Sequence, residues 1–139
     1  MTTANVDQEV CETETLARFI VQSSYIRRAS NTVKQDAFIP HPHDDLSVTR
    51  HLELSEENLW EIGAGVALER EKTLYGRADN LASDYNRMNL HILPDPIPPT
   101  EQNIGNPNHA VVKGWPADKP SQKMLALEIA SKAKFTPAP

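Results

Sequence analysis

Five of the chain's 11 prolines fall between positions 94 and 108, in the stretch PDPIPPTEQNIGNPN. Proline fixes φ and has no amide to donate, so this stretch cannot enter a helix interior or a central strand. It predicts a long, stiff loop, and regular structure must be built on either side of it. Long loops inside small domains are often functional, which makes this one a candidate working surface.

Before the loop, the run LARFIV (16–21) is rich in Phe, Ile and Val and predicts a strand. Residues 23–36 are polar with a basic turn, and a second strand is expected from Leu46 and Val48, extending to His51 and Leu52. The clearest helix begins at Ser55, a good N-cap, with Glu56 and Glu57 in the first turn where the helix dipole favours acids. Leu59, Ile62 and Val66 form its apolar stripe to about Arg70, and Gly63 and Gly65 on that helix could admit close approach by a neighbour. Leu81, Tyr85 and Met88 predict a second helix, and Leu90–Leu93 a strand that ends at Pro94. After the loop, His109–Lys113 reads as a strand closed by Gly114, Trp115 and Pro116, and Ser121–Phe135 as a third helix. The expected fold is α+β: a small mixed or antiparallel sheet with about three helices on one side. Residues 14–135 form a single domain, between a flexible acidic tail at 1–13 and a loose tail at 136–139.

Composition narrows the function classes. At 139 residues the chain fits one domain with a modest core. No stretch approaches the roughly 20 apolar residues of a membrane span, and the acidic, Thr-rich start lacks the layout of a secretory signal. The single Cys11 forms no internal disulfide, and neighbouring Glu9, Glu12 and Glu14 disfavour its thiolate. A cytoplasmic protein without membrane contact is expected. The net charge of −5 does not favour nucleic acid as a partner, although Arg27 and Arg28 lie together and Lys113, Lys119, Lys123, Lys132 and Lys134 make the last quarter basic.

Among reactive groups, His41 and His43 precede Asp44 and Asp45, which is metal-ligand chemistry. That spacing, however, puts both imidazoles on one side only in an extended segment, and HExxH, Cys-based and EF-hand patterns are missing. A polar loop before LSVTR is preferred, with no metal and no cofactor expected. GxSxG and SxxK nucleophile signatures and phosphate-cradling glycine loops are also missing. His109, at a strand start after Asn106, Pro107 and Asn108, suits loop orientation or general-base work. Trp115 suits packing or closing a pocket edge. An ADP-ribosyltransferase-like trio can be cast from Arg18, Ser47 and Glu128.

The segments VKQDAFIPHPHDDLSVTR (33–50) and NPNHAVVKGWPADKPSQKMLALEIA (106–130) resemble a group of short, uncharacterised bacterial proteins with an AF…LSVxR block and an NPxHA block. The resemblance covers about a third of the chain. It implies a bacterial or phage-related source and a single domain in which the two blocks meet, and no activity.

Two functions from different classes follow. The first is a binding or accessory module, of the kind found in defence or toxin–antitoxin systems, that meets a protein partner through its stiff loop. Its binding residues would be His41, His43, Arg50, Asn106, His109 and Trp115. The second is a small enzyme on a nucleotide or nucleic-acid substrate, with Arg18, Arg50 and His109 as catalytic candidates, since arginine holds phosphate bidentately.

Overall fold

The computed structural model describes residues 8–40 and 45–139. It is an α+β domain built on a six-stranded antiparallel sheet. The strands are β1 (Thr15–Ile20), β4 (Leu46–Arg50), β5 (Gly76–Leu81), β6 (His91–Pro94), β7 (His109–Lys113) and β8 (Lys134–Pro137), in the order β6-β7-β4-β1-β5-β8. A separate two-stranded hairpin joins β2 (Ile26–Arg27) to β3 (Thr32–Val33). The helices are α1 (Glu56–Glu69), α2 (Ala82–Asn86) and α3 (Lys119–Lys132), with 3₁₀ turns at Ser23–Tyr25 and Gln35–Phe38.

The helices do not share one side of the sheet, contrary to the expectation from sequence. Side chains alternate across a strand, and β1 is apolar at both parities. Leu16 and Ile20 join Leu46, Val48, Ala78, Ala110 and Val112 beneath α2, α3 and the Gln35–Phe38 turn. Ala17 and Phe19 face the other way, against Leu59 and Ile62 of α1. A sheet buried on both faces reads as a continuous apolar run, which is what LARFIV is.

α1 starts where the sequence predicts, with the Ser55 hydroxyl accepting from the Asn58 amide at 3.1 Å. Both of its helical glycines mark close approaches, by side chains. A Cβ at Gly63 would stand 2.7 Å from the Phe19 ring, and one at Gly65 2.8 Å from the Asn103 side-chain oxygen.

Residues 76–81, assigned in part to the second helix by apolar spacing, are instead the strand β5, and the helix is confined to Ala82–Asn86. The strand carries Arg77 and Asn80 as buried, hydrogen-bonded polar residues, so its apolar signature is weak.

The expected loose tail is also revised. Thr136 and Pro137 belong to the edge strand β8, opposite Arg77 and Gly76. At the other end, residues 8–13 are tied down rather than free: the Gln8 carbonyl accepts from Arg50 and the Glu12 carbonyl from the Ser83 amide. Residues 1–7 lie outside the described residues.

The proline-rich stretch extends the β6–β7 hairpin. β6 is an outer strand, so its terminal Pro94 opposite Ala110 leaves no inner ladder short of a donor. Further out, Ile97 and Asn106 exchange two backbone hydrogen bonds, of 2.9 and 2.8 Å. Gly105 turns the chain there with φ of +76°, a conformation that favours glycine. Three asparagines clamp the loop. Asn103 donates to the Gly65 carbonyl, Asn106 to the Thr49 hydroxyl, and Asn108 to the Arg50 and Leu52 carbonyls.

A candidate anion-binding cleft

Three arginines reach inward from neighbouring strands, and their partners differ. Arg50 on β4 holds the Glu14 carboxylate bidentately, at 2.7 and 2.8 Å. Burial alone would raise the Glu14 pKa, but the Arg50 hydrogen bonds, the Cys11 amide and the Arg50 charge together hold it below its ordinary value. Arg77 on β5 holds Glu56 bidentately at 3.0 and 2.8 Å, takes Asp79 through Nε, and lies 4.7 Å from the Trp60 ring centroid. His51 adds a 3.0 Å contact to Asp79.

Arg18 on β1 has no carboxylate partner among the described residues. The β1–β4 ladder runs only through Leu16–Arg50 and Ala17–Thr49. Beyond it the Arg18 side chain takes over, with Nη1 donating to the Ser47 carbonyl at 3.0 Å and Nε to the Ala37 carbonyl at 2.9 Å. Neutral carbonyls satisfy donors but do not cancel charge. Burial, and then the like charge of Arg70, push the Arg18 pKa down to about 10. The fold therefore holds a half-buried cation with no carboxylate partner among the described residues, an arrangement that costs free energy unless an anion supplies the missing charge.

Arg18 opens into a cleft of about 750 Å³. The end of β1 and the turn after it contribute Phe19, Val21, Gln22 and Tyr25, and the Gln35–Phe38 turn and its exit contribute Asp36, Ile39 and Pro40. Arg70 and Lys72 follow α1, and Lys119 opens α3. Among the described residues four cations thus line the cleft with one acid, Asp36, in a chain whose net charge is −5. A smaller pocket of about 30 Å³ shares Arg18, Phe19 and Arg70 with the cleft and adds Ser47, Thr49, Asn106 and His109. The His109 Nδ1 lies 2.8 Å from the Asp95 backbone oxygen and 3.3 Å from its carboxylate. Because a carbonyl only accepts, this contact makes Nδ1 the donor and leaves Nε2 as the ring nitrogen without that bond.

The remaining candidates are dispersed. Arg50 shares the α3-side parity of Leu46 and Val48, whereas His109 alternates with Ala110 and so faces the α1 side; the two do not converge. Asn106 and Asn108 are buried clamps of the loop. Trp115 is buried and donates to the Val112 carbonyl at 3.0 Å. Glu128 stands exposed on α3 beside Lys132, and the Ser47 carbonyl is occupied by Arg18. His41, His43 and Asp44 lie outside the described residues, while Asp45 stands 3.7 Å from Lys113. No group of three or more metal-ligating side chains occurs among the described residues. None of their helices is long and apolar enough to cross a membrane.

The residues that sequence reasoning missed are Arg70, Lys72 and Tyr25, and it read Lys119 only as part of a basic stretch. They come from three separated segments, and the one available signal was a strand-borne arginine amid apolar neighbours in LARFIV. No protein-family model, curated protein or solved structure matches the chain.

Proposed function

We propose that this chain is a binding module for a small anionic ligand, held in the cleft lined by Arg18, Arg70, Lys72 and Lys119. The supporting observation is the contrast among the inward arginines: Arg50 and Arg77 each have carboxylate partners, and Arg18 has none among the described residues. A ligand anion would complete the set. Binding to the folded state alone raises stability by about 2.7 kcal/mol at a ligand concentration of 100 Kd. Thermal melts in low-salt buffer should therefore rise with added inorganic phosphate. Arg70→Glu and Lys119→Glu, both at the cleft wall, should remove the rise. No shift in the wild type, or one shared equally by the two variants, overturns the reading.

A second reading has its own support, the pocket shared by His109, Arg18 and Arg70. Here the chain is a small enzyme on a phosphate ester. The Nε2 of His109 takes a proton from an attacking water, the ester P–O bond breaks, and the proton passes to the departing alcohol. The assay is phosphate release from p-nitrophenyl phosphate. Turnover lost in His109→Ala, with ligand binding kept, supports it; no turnover by the wild type rejects it.

A further inference from the structure

The cleft is larger than a bare oxyanion needs, and its walls are of two kinds. We infer that its ligand is a phosphomonoester carried on an aromatic body, an inference that rests on the anion reading above. Charge selects the head group. Among the described residues the four cations and Asp36 leave three net positive charges on the wall. A phosphomonoester carries close to two negative charges at neutral pH, against one for a carboxylate, and its oxygens suit the guanidinium fork of Arg18 or Arg70.

Size and polarity select the body. The volume of about 750 Å³ falls in the range of pockets that enclose whole organic ligands. Half-buried Ile39 offers apolar surface over a floor of the buried Phe19, Val21 and Pro40, and half-buried Tyr25 adds a ring with a polar tip. Such surfaces favour a flat, apolar group, and aromatic side chains pack well against one. A free phosphate would leave this wall wet.

Isothermal titration of the wild-type chain tests both halves, with phenyl phosphate, inorganic phosphate, benzoate and phenol as probes. Phenyl phosphate should bind at least tenfold more tightly than inorganic phosphate. That ratio corresponds to about 1.4 kcal/mol, which burial of roughly 55 Å² of apolar surface supplies. Benzoate should bind at least tenfold more weakly than phenyl phosphate, and phenol should not register at the same concentrations. Tyr25→Ala should narrow the gap between phenyl phosphate and inorganic phosphate, while Arg70→Gln should weaken both.

Equal affinity for phenyl phosphate and inorganic phosphate overturns the aromatic body and leaves the anion reading standing. Equal affinity for benzoate and phenyl phosphate overturns the phosphomonoester head. Binding of phenol alone overturns the inference as a whole. If none of the three anions binds, the anion reading itself falls.

Discussion

Arg50→Met removes one side of an ion pair whose arginine side chain is 1% exposed and whose glutamate is 11% exposed. Glu14 would keep the Cys11 amide at 2.8 Å and lose both of its short contacts to the guanidinium. The Gln8 carbonyl would lose its arginine donor as well. Breaking a buried pair from one side costs about 3–5 kcal/mol, because a charge is left without compensation. Glu14 keeps some contact with solvent, so the lower end applies, about 3 kcal/mol. For a domain of this size that lowers Tm by about 10 °C. Urea denaturation followed by circular dichroism measures the loss directly, and an unchanged m-value would confirm that the same surface is exposed on unfolding. The companion variant Arg50→Met/Glu14→Leu should recover most of the loss, since an apolar pair of similar volume replaces the ions without stranding either. The reasoning fails if Arg50→Met costs less than about 1 kcal/mol, or if the double variant is no more stable than the single one.

Asn108→Ala leaves the Arg50 and Leu52 carbonyls without their side-chain donor and should cost about 2–4 kcal/mol in the same urea assay; a cost below about 1 kcal/mol would show the loop held by other means. Trp115→Ala empties a buried site and should cost about 3–5 kcal/mol in a thermal melt, with phosphate binding unchanged once the protein is folded. The folded-state pKa of Glu14 lies below its unfolded value near 4.3, so its stabilising contribution is fully present above that value. It is lost as pH falls through the folded-state pKa, and Glu14→Gln should flatten that acid limb of the stability curve.

Sequence periodicity located the elements whose apolar residues are regularly spaced. The strand His109–Lys113 and the start of α1 at Ser55 are read correctly because side-chain alternation and capping chemistry act locally. β5 was misread because its buried positions include Arg77 and Asn80, made acceptable by Glu56, Asp79 and the Ile129 carbonyl, partners remote in sequence or added by the fold. β8 escaped because KFTP offers one large apolar residue and a proline, and only pairing with β5 makes it a strand. The cleft was legible in part. Arg18 stood out as a charge inside an apolar run, whereas Arg70, Lys72 and Lys119 are ordinary surface cations until the chain brings them to one wall.

The short β1–β4 ladder gives the sheet a seam. Parting the sheet there breaks two residue pairs, where every other boundary between neighbouring strands would break at least four. On either side lie two three-stranded halves, β6-β7-β4 and β1-β5-β8. Helices rivet the halves together: α1 touches Phe19 in one and the Asn103 loop of the other, and α3 joins the Asn80 side chain to the Pro116 carbonyl. Under mechanical load the molecule should therefore yield along this line, which Arg18, the Arg50–Glu14 pair and the His51–Asp79 contact stitch with side chains, and an occupant lodged beside the Arg18 guanidinium would act as a wedge-shaped keystone.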